Sequence, residues 1–496
     1  MRNAHDVAGV RAAESALMAL VPEGALMQRA ASGLASVCAR LLAAVYGSRV
    51  VVLAGSGDNG GDALYAGARL AARGAVVTAV AAAERVHQGG ADALRGSGGR
   101  LIGASDDPAA ADKAIVAADL IIDGLLGIGG HGGLREPAAS LAAAAQRARG
   151  QIVAVDLPSG IDADTGEVAG AAVRAGVTVT FGTLKPGLLI DPGASHAGVV
   201  ELIDIGLGSH LGPPDVAAAQ AADIAAWLPR PTAESDKYRR GVLGIVAGSD
   251  RFTGAAPLAV GGAIRGGAGM VRLVSSEVPV MLVRERWPEA VITTTQAGQE
   301  GTAAIEKAGQ VQAWTAGPGM GTGEASAELL AAVLATSVPV LVDADGITLL
   351  AAHRELLSRS APTLITPHAG ELARLLGADR SDVEARRLRF ATQAAAELGC
   401  TVLLKGSTTV IAPPSSGQKV LVNPTGTSWL ATAGSGDVLS GLAGSLLAQG
   451  LGPSRAAAAA AYLHGIAARL AAEGAPIGAT DVIAALPAAI RSVEAA

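Results

Sequence analysis

The chain contains little cysteine and few aromatic residues. Its 496 residues include only two cysteines, Cys38 and Cys400, which are far apart in the sequence. This excludes a disulfide framework and cysteine-rich zinc sites. Aromatic residues make up 2% of the chain, which argues against the stacking surfaces on which proteins bind single-stranded nucleic acid.

Charge and long apolar segments are also scarce. Charged residues make up 17% of the chain and the net charge is −6, so we expect no basic surface for nucleic acid or for an acidic membrane. No uninterrupted apolar run reaches the roughly 20 residues of a membrane-spanning helix, and residues 1–6 lack the apolar core of a signal peptide. We therefore predict a cytoplasmic protein with no nucleic-acid partner and no membrane partner.

The chain is instead rich in apolar residues and in glycine. Half of its residues are apolar and 66 are glycine, which allows large cores and many close-packed loops. A length of 496 residues predicts two or three domains. The turn-rich segment 206–215 has no periodicity and marks a boundary, so we predict domains at 1–212 and 223–494.

Strand patterns alternate with helical patterns along the whole chain, which predicts α/β domains with mostly parallel sheets and helices on both faces. Ligands of such sheets bind at the carboxyl ends of the strands. In the first half we expect strands that include 50–54, 119–126 and 152–155. In the second half we expect strands, each followed by a helix, at 311–316, 338–343, 363–366 and 401–404.

Two glycine-rich loops in the first half match the fingerprint of dinucleotide-binding folds. Gly55-x-Gly57-x-x-Gly60 follows the first of these strands, and the loop 127–133 repeats the spacing. The carboxylates of Asp58 and Asp62, however, would compete with a pyrophosphate for the same helix amides. These two carboxylates therefore count against an ordinary NAD-dependent dehydrogenase.

Oxygen-bearing side chains stand near the ends of the same strands. Asn59 lies in the first glycine loop, Asp123 lies in the second strand, and Asp156 and Ser159 follow the third. Oxygen ligands with few cysteines or histidines suit a hard cation rather than zinc. The alternative is that Asp123 and Asp156 only cap loops at strand ends.

The first half thus contains three motifs in order: Asn-Gly-Gly-Asp (59–62), Asp123 with the glycine loop 127–133, and Asp-x-Pro-Ser-Gly (156–160). Together they resemble the NAD(P)H-hydrate epimerase domain of YjeF-type repair enzymes, over about residues 1–212. The resemblance implies a Rossmann-like three-layer α/β/α domain. It also implies interconversion of the R and S epimers of the hydrated cofactors NADHX and NADPHX.

The resemblance further implies roles for individual residues. Asp156 would bind the substrate and perform acid–base catalysis, and a potassium ion (K⁺) would be held by Asn59, Asp123 and Ser159. The residues that it implies in substrate binding are Asp58, Asn59, Gly60, Gly61, Asp62, Gly127, Ile128, Gly129, Gly130, His131, Gly132, Gly133 and Asp156.

In the second half, the segment Gly434-Ser-Gly-Asp437 puts a carboxylate into a ring of backbone amides. A glycine loop that opens a helix binds anions through its free N–H groups and the positive end of the helix dipole. A phosphate would repel Asp437 unless this carboxylate takes a proton from an attacking hydroxyl group. The alternative is an aspartate that caps the helix.

Four further stretches of the second half, beside predicted strands or helices, could carry chemistry. His368 and Glu371 stand where a helix begins, and Lys405 follows an apolar strand, from which it could reach phosphates. Taken singly, His368 could bond nearby backbone, Glu371 could be a helix-start carboxylate, and Lys405 could be an exposed lysine. The four stretches are 317–321, 343–345, 366–371 and 405–409.

In this order, the motifs of the second half resemble the ribokinase-like superfamily, and most closely its ADP/ATP-dependent NAD(P)H-hydrate dehydratases, over about residues 223–494. The resemblance implies a ribokinase-like α/β domain that uses Mg²⁺ and takes ADP as co-substrate. The implied hydrate-binding residues are Ala255, Gly319, His368 and Asp437. The implied nucleotide-binding residues are Lys405, Gly406, Ser407, Thr408, Thr409 and Gly436.

The chain departs from the two family patterns at three positions. The epimerase family usually has Asn where this chain has Asp58, and commonly Thr where it has Ile128. The dehydratase family often has Gly where this chain has Ala433.

The two halves together predict a bifunctional, homo-oligomeric repair enzyme with Asp156 and Asp437 as catalytic residues. Asp437 would deprotonate the hydroxyl group of the hydrate, which attacks the terminal phosphoryl group of ADP, and elimination of phosphate would restore NAD(P)H. Two other classes are a small-molecule kinase of vitamin metabolism and a scaffold role for the first domain. The epimerase-like half argues against the kinase, and the presence of Asn59, Asp123 and Ser159 beside Asp156 argues against the scaffold.

Overall fold

A computed structural model describes residues 1–130, 132–296, 298, 300–415 and 417–495. The chain forms two compact units. We call Asn3–Val216 the N-terminal unit, and Ala217–Ala496 together with Met1–Arg2 the C-terminal unit. The predicted domains, 1–212 and 223–494, lie close to this division and remain a prediction.

The N-terminal unit is built on seven parallel strands in the order β4-β3-β2-β5-β6-β7-β8. These seven strands are β2 (Arg49–Ala54), β3 (Val76–Ala81), β4 (Arg100–Gly103), β5 (Leu120–Gly124), β6 (Gln151–Val155), β7 (Val177–Phe181) and β8 (Val199–Ile203). The first strand of the chain, β1 (Arg2–Ala4), belongs to the other sheet. The α-helices are α1 (Val7–Met18), α2 (Ala25–Leu41), α3 (Asp58–Ala71), α4 (Gln88–Gly96), α5 (Pro108–Val116), α6 (Ala138–Arg147) and α7 (Ala194–Ala197).

Helices cover both faces of this sheet. Successive side chains of a strand point to opposite faces, and in β2 the alternate residues Val50 and Val52 pack into one core while Val51 and Leu53 pack into another. The first core includes side chains of α2 and α3, and the second includes side chains of α5 and α6. The three-layer α/β/α arrangement expected from the sequence is therefore confirmed.

The strand order creates a crevice between β2 and β5. The chain moves from β2 outward to β3 and β4, and then returns to the other side of β2 as β5. Such a reversal separates the loops at the carboxyl ends of the two central strands and is where α/β sheets bind ligands. A Cβ atom on Gly55 would lie 1.9 Å from the Leu125 carbonyl oxygen, so glycine alone permits the close approach of these two loops.

The C-terminal unit contains a larger sheet, with strand order β1-β9-β18-β17-β16-β15-β14-β13-β10-β11-β12. Its strands are β9 (Val216–Ala218), β10 (Val242–Val246), β11 (Met270–Ser275), β12 (Val291–Thr294), β13 (Ala313–Ala316), β14 (Val340–Val342), β15 (Thr363–Ile365), β16 (Thr401–Leu404), β17 (Thr409–Ala412) and β18 (Val420–Asn423). Its helices are α8 (Ala221–Trp227), α9 (Ala255–Arg265), α10 (Glu277–Arg286), α11 (Gly301–Ala308), α12 (Glu324–Leu334), α13 (Asp345–Ala352), α14 (Ala369–Leu376), α15 (Arg380–Ala385), α16 (Arg387–Leu398), α17 (Ser435–Ala448), α18 (Pro453–Ala472) and α19 (Ala479–Glu494).

In the sheet, the seven neighbouring strands β12, β11, β10, β13, β14, β15 and β16 run parallel. The strands β16, β17 and β18 pair antiparallel. The expectation of a helix after each predicted strand is therefore wrong for β16. Residues 405–408 make a turn there, and the β-branched start of β17 continues as a neighbouring strand. Among the described residues, none of the helices combines the length and the apolarity that a bilayer crossing requires.

Helix α17 is buried against α9 because both helices are lined by small residues. A Cβ atom on Gly441 would lie 1.9 Å from the Ala259 carbonyl oxygen, and one on Gly444 would lie 2.0 Å from Thr315 Oγ1. Glycine at these two positions lets the helix approach both α9 and the sheet. The close contact fixes the N-terminus of α17, which carries Gly434–Asp437, in position.

Candidate active sites

A cleft of about 1060 Å³ opens at the switch point of the N-terminal sheet. Its walls come from α1, from the segment that leads into α2, from the start of α3, and from the loops that follow β5 and β6. The predicted substrate-binding residues that line it are Asp58, Asn59, Asp62, Gly127, Ile128, Gly129, Gly130 and Asp156.

Four other predicted binding residues of this unit are glycines that are not among the residues lining the cleft. A Cβ atom on Gly60 would lie 2.3 Å from the Gly55 carbonyl oxygen, and one on Gly61 would lie 2.9 Å from the His87 ring. Gly132 has a φ of 76°, and Gly133 packs against the backbone at 170. His131 lies outside the described residues.

Asp156 is held in the cleft by a buried ion pair. The residue has a φ of 65°, unusual for a side chain other than glycine, and its Oδ1 accepts hydrogen bonds from Thr180 Oγ1 at 3.0 Å and from Lys185 Nζ at 2.5 Å. Lys185 is 1% exposed and also donates to the Phe181 carbonyl at 3.2 Å. All these donors act on one oxygen, so the other oxygen of Asp156 is available to a substrate.

Asp62 has a different environment from Asp156. Its Oδ1 is enclosed and has no hydrogen-bond partner within the part of the chain that the structure describes. Burial, followed by the charges of Asp156, Asp58 and Glu14, raises the pKa of Asp62 well above its usual range. Burial also raises the pKa of Glu14, which lines the same cleft from α1, although Lys185 opposes this shift.

The three predicted potassium ligands lie beside this cleft. Asp123 is fully buried; its Oδ2 accepts from the Ser159 amide at 2.9 Å and its Oδ1 from Ser159 Oγ at 2.7 Å. Asn59 lies against Gly127, and its buried Nδ2 has no hydrogen-bond partner among the described residues. Burial raises the pKa of Asp123 to about 6, against the hydrogen bonds from Ser159. One buried carboxylate with neutral oxygen donors fits a monovalent hard cation.

A cluster of charged side chains lies at the carboxyl ends of β14 and β16 in the C-terminal unit. Asp343 is 1% exposed and accepts from Lys405 Nζ at 2.7 Å and from Ser440 Oγ at 2.6 Å. Lys405 Nζ also lies 3.9 Å from Glu371 Oε2. Burial lowers the pKa of Lys405, but the carboxylates of Asp343, Glu371 and Asp437 outweigh it and raise the pKa overall. Lys405 is thus a partly buried, ion-paired cation and not the exposed lysine of the alternative reading.

Asp437 lies in the first turn of α17, three residues after the N-cap Gly434, whose φ is 84°. The alternative of a capping aspartate is therefore wrong. A Cβ atom on Gly436 would lie 3.5 Å from Lys405 Nζ and 3.8 Å from Asp343 Oδ2, so the helix N-terminus contacts the charged cluster. Burial and the Asp343 carboxylate raise the pKa of Asp437 to about 7, while Lys405 partly offsets them.

His368 caps helix α14 next to the same cluster. Its Nδ1 accepts from the amides of Gly370 at 3.0 Å and Glu371 at 3.2 Å, and Glu371 Oε2 accepts from the His368 amide at 2.7 Å. Because Nδ1 accepts, the proton of the neutral ring is on Nε2, which lies 3.4 Å from Glu371 Oε1. Burial lowers the pKa of His368 despite Glu371. His368 thus bonds nearby backbone, as the alternative interpretation expected. Its side chain is nevertheless 54% exposed.

The other predicted dehydratase residues lie in two places. Gly319 has a φ of 59°, and a Cβ atom there would lie 2.7 Å from the Ala255 Cβ, so these two predicted hydrate-binding residues are neighbours. Gly406 lies against Arg387, whose Nη1 would be 2.0 Å from a Cβ atom at that position. The remaining predicted nucleotide-binding residues are the exposed Ser407, the buried Thr408 and the first residue of β17, Thr409.

A resident Mg²⁺ does not fit the charged cluster by itself. Within the described parts of the chain, no group of three or more His, Cys, Asp or Glu side chains is arranged to hold a metal ion. The ammonium of Lys405 already pairs with Asp343 and approaches Glu371. A magnesium ion here would have to enter with the phosphates of a nucleotide.

Sequence reasoning missed Lys185 and Ser440, which complete the two sites. Lys185 stands alone in the apolar, glycine-rich segment 181–190 directly after β7. A single lysine in such a segment must be paired if it is buried, and this signal could have identified it. Ser440 had no comparable signal, since it is one small residue of the buried helix α17.

Comparisons with known proteins agree with this architecture. A family model described as NAD(P)H-hydrate dehydratase matches residues 243–488, and the model of the YjeF-related protein N-terminus matches residues 23–187. The bifunctional NAD(P)H-hydrate repair enzyme Nnr of Mycobacterium tuberculosis is 48% identical over 464 residues, which are 92% of either chain. The enzyme of the same name from Mycobacterium leprae is 46% identical over 478 residues, which are 95% of this chain and 94% of its own.

Among solved structures, a ribokinase-like superfamily protein from Enterococcus faecalis is 24% identical, with a TM-score of 0.50, and covers 57% of this chain and 98% of its own. This likeness shows the ribokinase-like fold predicted for the second half. The two family models match the two halves in the order that the motifs predicted. With close to half of its residues shared over almost its full length, the chain belongs to the family of bifunctional NAD(P)H-hydrate repair enzymes.

Proposed function

We propose that this chain repairs hydrated NAD(P)H in two steps. The N-terminal unit interconverts the R and S epimers of NADHX and NADPHX, and the C-terminal unit dehydrates the S epimer to NAD(P)H while ADP is converted to AMP and phosphate. The observation that carries the proposal is Asp437, a carboxyl group with a pKa of about 7 at a glycine-rich helix N-terminus. A base with a pKa near the working pH is suited to proton transfer.

In the dehydratase step, Asp437 takes the proton of the hydrate's hydroxyl group as the oxygen attacks the terminal phosphoryl group of ADP. The N-terminus of α17, where Gly436 lies beside the ammonium of Lys405, would stabilise the charge that develops on the phosphate. Phosphate then leaves from the ring carbon, and loss of a neighbouring ring proton restores the double bond. Magnesium, entering as part of the nucleotide co-substrate, would neutralise phosphate charge.

In the epimerase step, Asp156 serves as an acid–base group. The pairing with Lys185 and the hydrogen bond from Thr180 fix its Oδ1, so the group presents its other oxygen to the substrate in a defined position. A substrate in the 1060 Å³ cleft lies between the start of α3 and the loop 127–130. We assign the binding roles of the lining residues, Ile128 and Asp58 included, on this basis.

Potassium is the cation that we propose for Asn59, Asp123 and Ser159. These residues offer one carboxylate, one amide and one hydroxyl group, which is the donor chemistry of a monovalent hard cation. A bound potassium ion would neutralise the buried charge of Asp123. The homo-oligomeric state, the cytoplasmic location and the preference for ADP over ATP remain predictions.

The experiment that tests this function follows the absorbance of the reduced cofactor. Purified protein is mixed with an R/S mixture of NADHX and with ADP or ATP, each with Mg²⁺. We expect complete recovery of the absorbance with at least one nucleotide, and none without nucleotide. No recovery with either nucleotide would contradict the dehydratase function.

A further inference from the structure

We propose that Asp62 is the second acid–base residue of the epimerase site and works as a pair with Asp156. In this mechanism Asp62 donates a proton to the departing hydroxyl group of the hydrate, and Asp156 accepts a proton from the water that replaces it. The inference rests on the proposed epimerase function and adds a catalytic residue to it.

The position of Asp62 is the first argument. Asp62 lies in α3, one helical turn after Asn59, and lines the cleft together with Asp156. Helix α3 follows β2, and Asp156 follows β6, so the two carboxyl groups reach the cleft from strands on either side of β5. The two carboxyl groups thus come from separate elements and line the same cleft, as an exchange of water with one acid and one base requires.

The enclosed oxygen of Asp62 is the second argument. Its Oδ1 has no hydrogen-bond donor among the described residues. An ionised carboxylate oxygen that is enclosed without a hydrogen-bond donor raises the free energy of the folded protein. This penalty decreases when the carboxyl group holds a proton or when a ligand supplies a partner. The site therefore favours a neutral carboxyl group at Asp62 until substrate arrives.

The surrounding charges are the third argument. Several titratable groups line the cleft around Asp62. They are Glu14 and Arg11 on α1, Asp58 and Tyr65 on α3, His87 at the N-cap of α4, and Asp156 in the loop after β6. Carboxylates outnumber cations around Asp62, and like charges together with burial raise its pKa.

Asp156 differs from Asp62 because the buried ammonium of Lys185 donates to its Oδ1. Two carboxyl groups in one cleft thus have opposite environments, one paired with a cation and the other surrounded by carboxylates. A carboxyl group that burial and like charges keep protonated is suited to donate a proton, and a carboxylate held by an ammonium group can accept one. We therefore assign the acid role to Asp62 and the base role to Asp156.

The reaction balances without any further reactant. The hydroxyl group is on the ring carbon beside the nitrogen; as this C–O bond breaks, the nitrogen lone pair forms a C=N bond, and the oxygen takes the proton of Asp62 and leaves as water. A second water then attacks the other face of the carbon, gives its proton to Asp156, and returns the electron pair to nitrogen. The reverse direction uses the two groups in exchanged roles, and the free enzyme resets by moving one proton through solvent.

The test compares Asp62→Asn with the wild-type protein, starting from each isolated epimer in ¹⁸O-labelled water. Asparagine keeps the size of aspartate and, like a protonated carboxyl group, has both a donor and an acceptor, but it cannot transfer the proton. We expect kcat for epimerisation to fall by about 10²-fold or more, with KM changed by less than about threefold. Wild-type protein should incorporate one ¹⁸O atom for each inversion.

A second readout guards against a merely structural effect. Asp62→Glu, which keeps the proton donor, should retain more activity than Asp62→Asn. Thermal unfolding of Asp62→Asn should occur at about the wild-type temperature or above it, because asparagine is neutral and has the shape of the protonated carboxyl group that it replaces. Asp92→Asn, an exposed position on α4, is the matched control.

The outcomes separate this inference from the proposed function. If the wild-type protein does not interconvert the epimers, the epimerase function fails. If the wild type is active and Asp62→Asn keeps the wild-type kcat with a raised KM, Asp62 only binds substrate and the inference is overturned. Inversion without uptake of ¹⁸O would also overturn it, since the C–O bond would then remain intact.

Discussion

Burial sets the acid–base properties of individual carboxyl groups in both units. The pKa of Asp437 is raised to about 7 and that of Asp123 to about 6. The pKa of Asp62 is raised well above its usual range. In each case burial is the largest cause, because an ion loses hydration when it is enclosed. A carboxyl group with a raised pKa holds a proton that an ordinary surface aspartate would lose.

The pKa of Asp437 predicts the pH dependence of dehydration. Asp437 acts as a base only when it is ionised, so the rate should increase about tenfold per pH unit up to about pH 7 and then level off. Asp437→Asn should lower kcat by about 10²- to 10⁴-fold and remove this limb from any residual activity. Steady-state rates with the S epimer and ADP between pH 5.5 and 8.5 provide the measurement.

The same substitution should not destabilise the fold. At pH 8 the ionised Asp437 lies near Asp343 and Asp345, and a neutral asparagine relieves that repulsion. The midpoint of urea unfolding, followed by tryptophan fluorescence, should stay equal or increase. This probe reports on the C-terminal unit because all four tryptophans lie within it.

A dehydration rate of the wild type that does not change between pH 5.5 and 8.5 would contradict the role of Asp437.

Lys185→Met should destabilise the N-terminal unit and impair epimerisation. Lys185 is 1% exposed and donates to Asp156, to Thr180 and to the Phe181 carbonyl. Removal of one partner from a buried pair leaves the other charge unpaired, which costs about 3 kcal/mol or more. The amide hydrogens of β6 and β7 should exchange faster by the corresponding factor, and mass spectrometry can measure this.

A double-mutant comparison isolates the ion pair in that prediction. Lys185→Met combined with Asp156→Asn removes both charges of this pair, so the double variant should be more stable than the sum of the single losses predicts. Strictly additive losses would show that Lys185 stabilises the unit by packing alone.

At the scale of elements, most strands and helices could be predicted from periodicity. The strands β2, β5 and β6 lie within a few residues of their predicted positions, because buried strands of a parallel sheet appear as short apolar runs. The pattern did not reveal β4, a short edge strand with one exposed residue and three partly buried ones. It also failed at β17, since an antiparallel partner and a helix can follow the same turn.

Gly55→Ala tests whether the glycine loops position the cleft. The added Cβ atom would lie 1.9 Å from the Leu125 carbonyl oxygen, so the loops after β2 and β5 must separate. We expect a loss of about 1–3 kcal/mol in stability, as for other overpacked sites, together with a several-fold higher KM for epimerisation. Hydrogen exchange in β2 and β5 and steady-state kinetics measure the two effects.

The matched control for this glycine is Gly96→Ala in α4. A Cβ atom there has no neighbouring atom within 4 Å, and alanine favours a helix more than glycine by roughly 0.5–1 kcal/mol. The control should be unchanged or more stable. Equal behaviour of the two variants would mean that the approach of the two loops is unimportant.

At the scale of the whole molecule, the two activities should depend on each other through the free substrate. Asp156→Ala should repair the S epimer at the normal rate and the R epimer only as fast as it converts spontaneously. Added Asp437→Asn protein, which retains the epimerase, should restore full repair because the epimers diffuse between molecules. The two phases of absorbance recovery from an R/S mixture measure this.

Each variant acts as a control for the other in that experiment. Asp437→Asn alone should equilibrate the two epimers but form no NAD(P)H. If Asp156→Ala repairs both epimers at the normal rate, the assignment of the epimerase site is wrong.

The sequence by itself determined the elements whose chemistry is local. The glycine loops, the alternation of strands and helices, and the carboxylates within motifs such as 156–160 and 434–437 lie within short contiguous stretches, and steric and hydrogen-bonding rules apply there without knowledge of the fold. These features were sufficient to predict the α/β class and the family.

Only the tertiary structure decided which charges are paired. Asp156 meets Lys185 across 29 residues, and Asp343 meets Lys405 across 62 residues and Ser440 across 97. These contacts depend on which strands are neighbours in the sheet, which periodicity does not specify. Burial of the carboxyl groups also follows from packing, so the pKa values of Asp62 and Asp437, and with them the assignment of acid and base, required the folded chain.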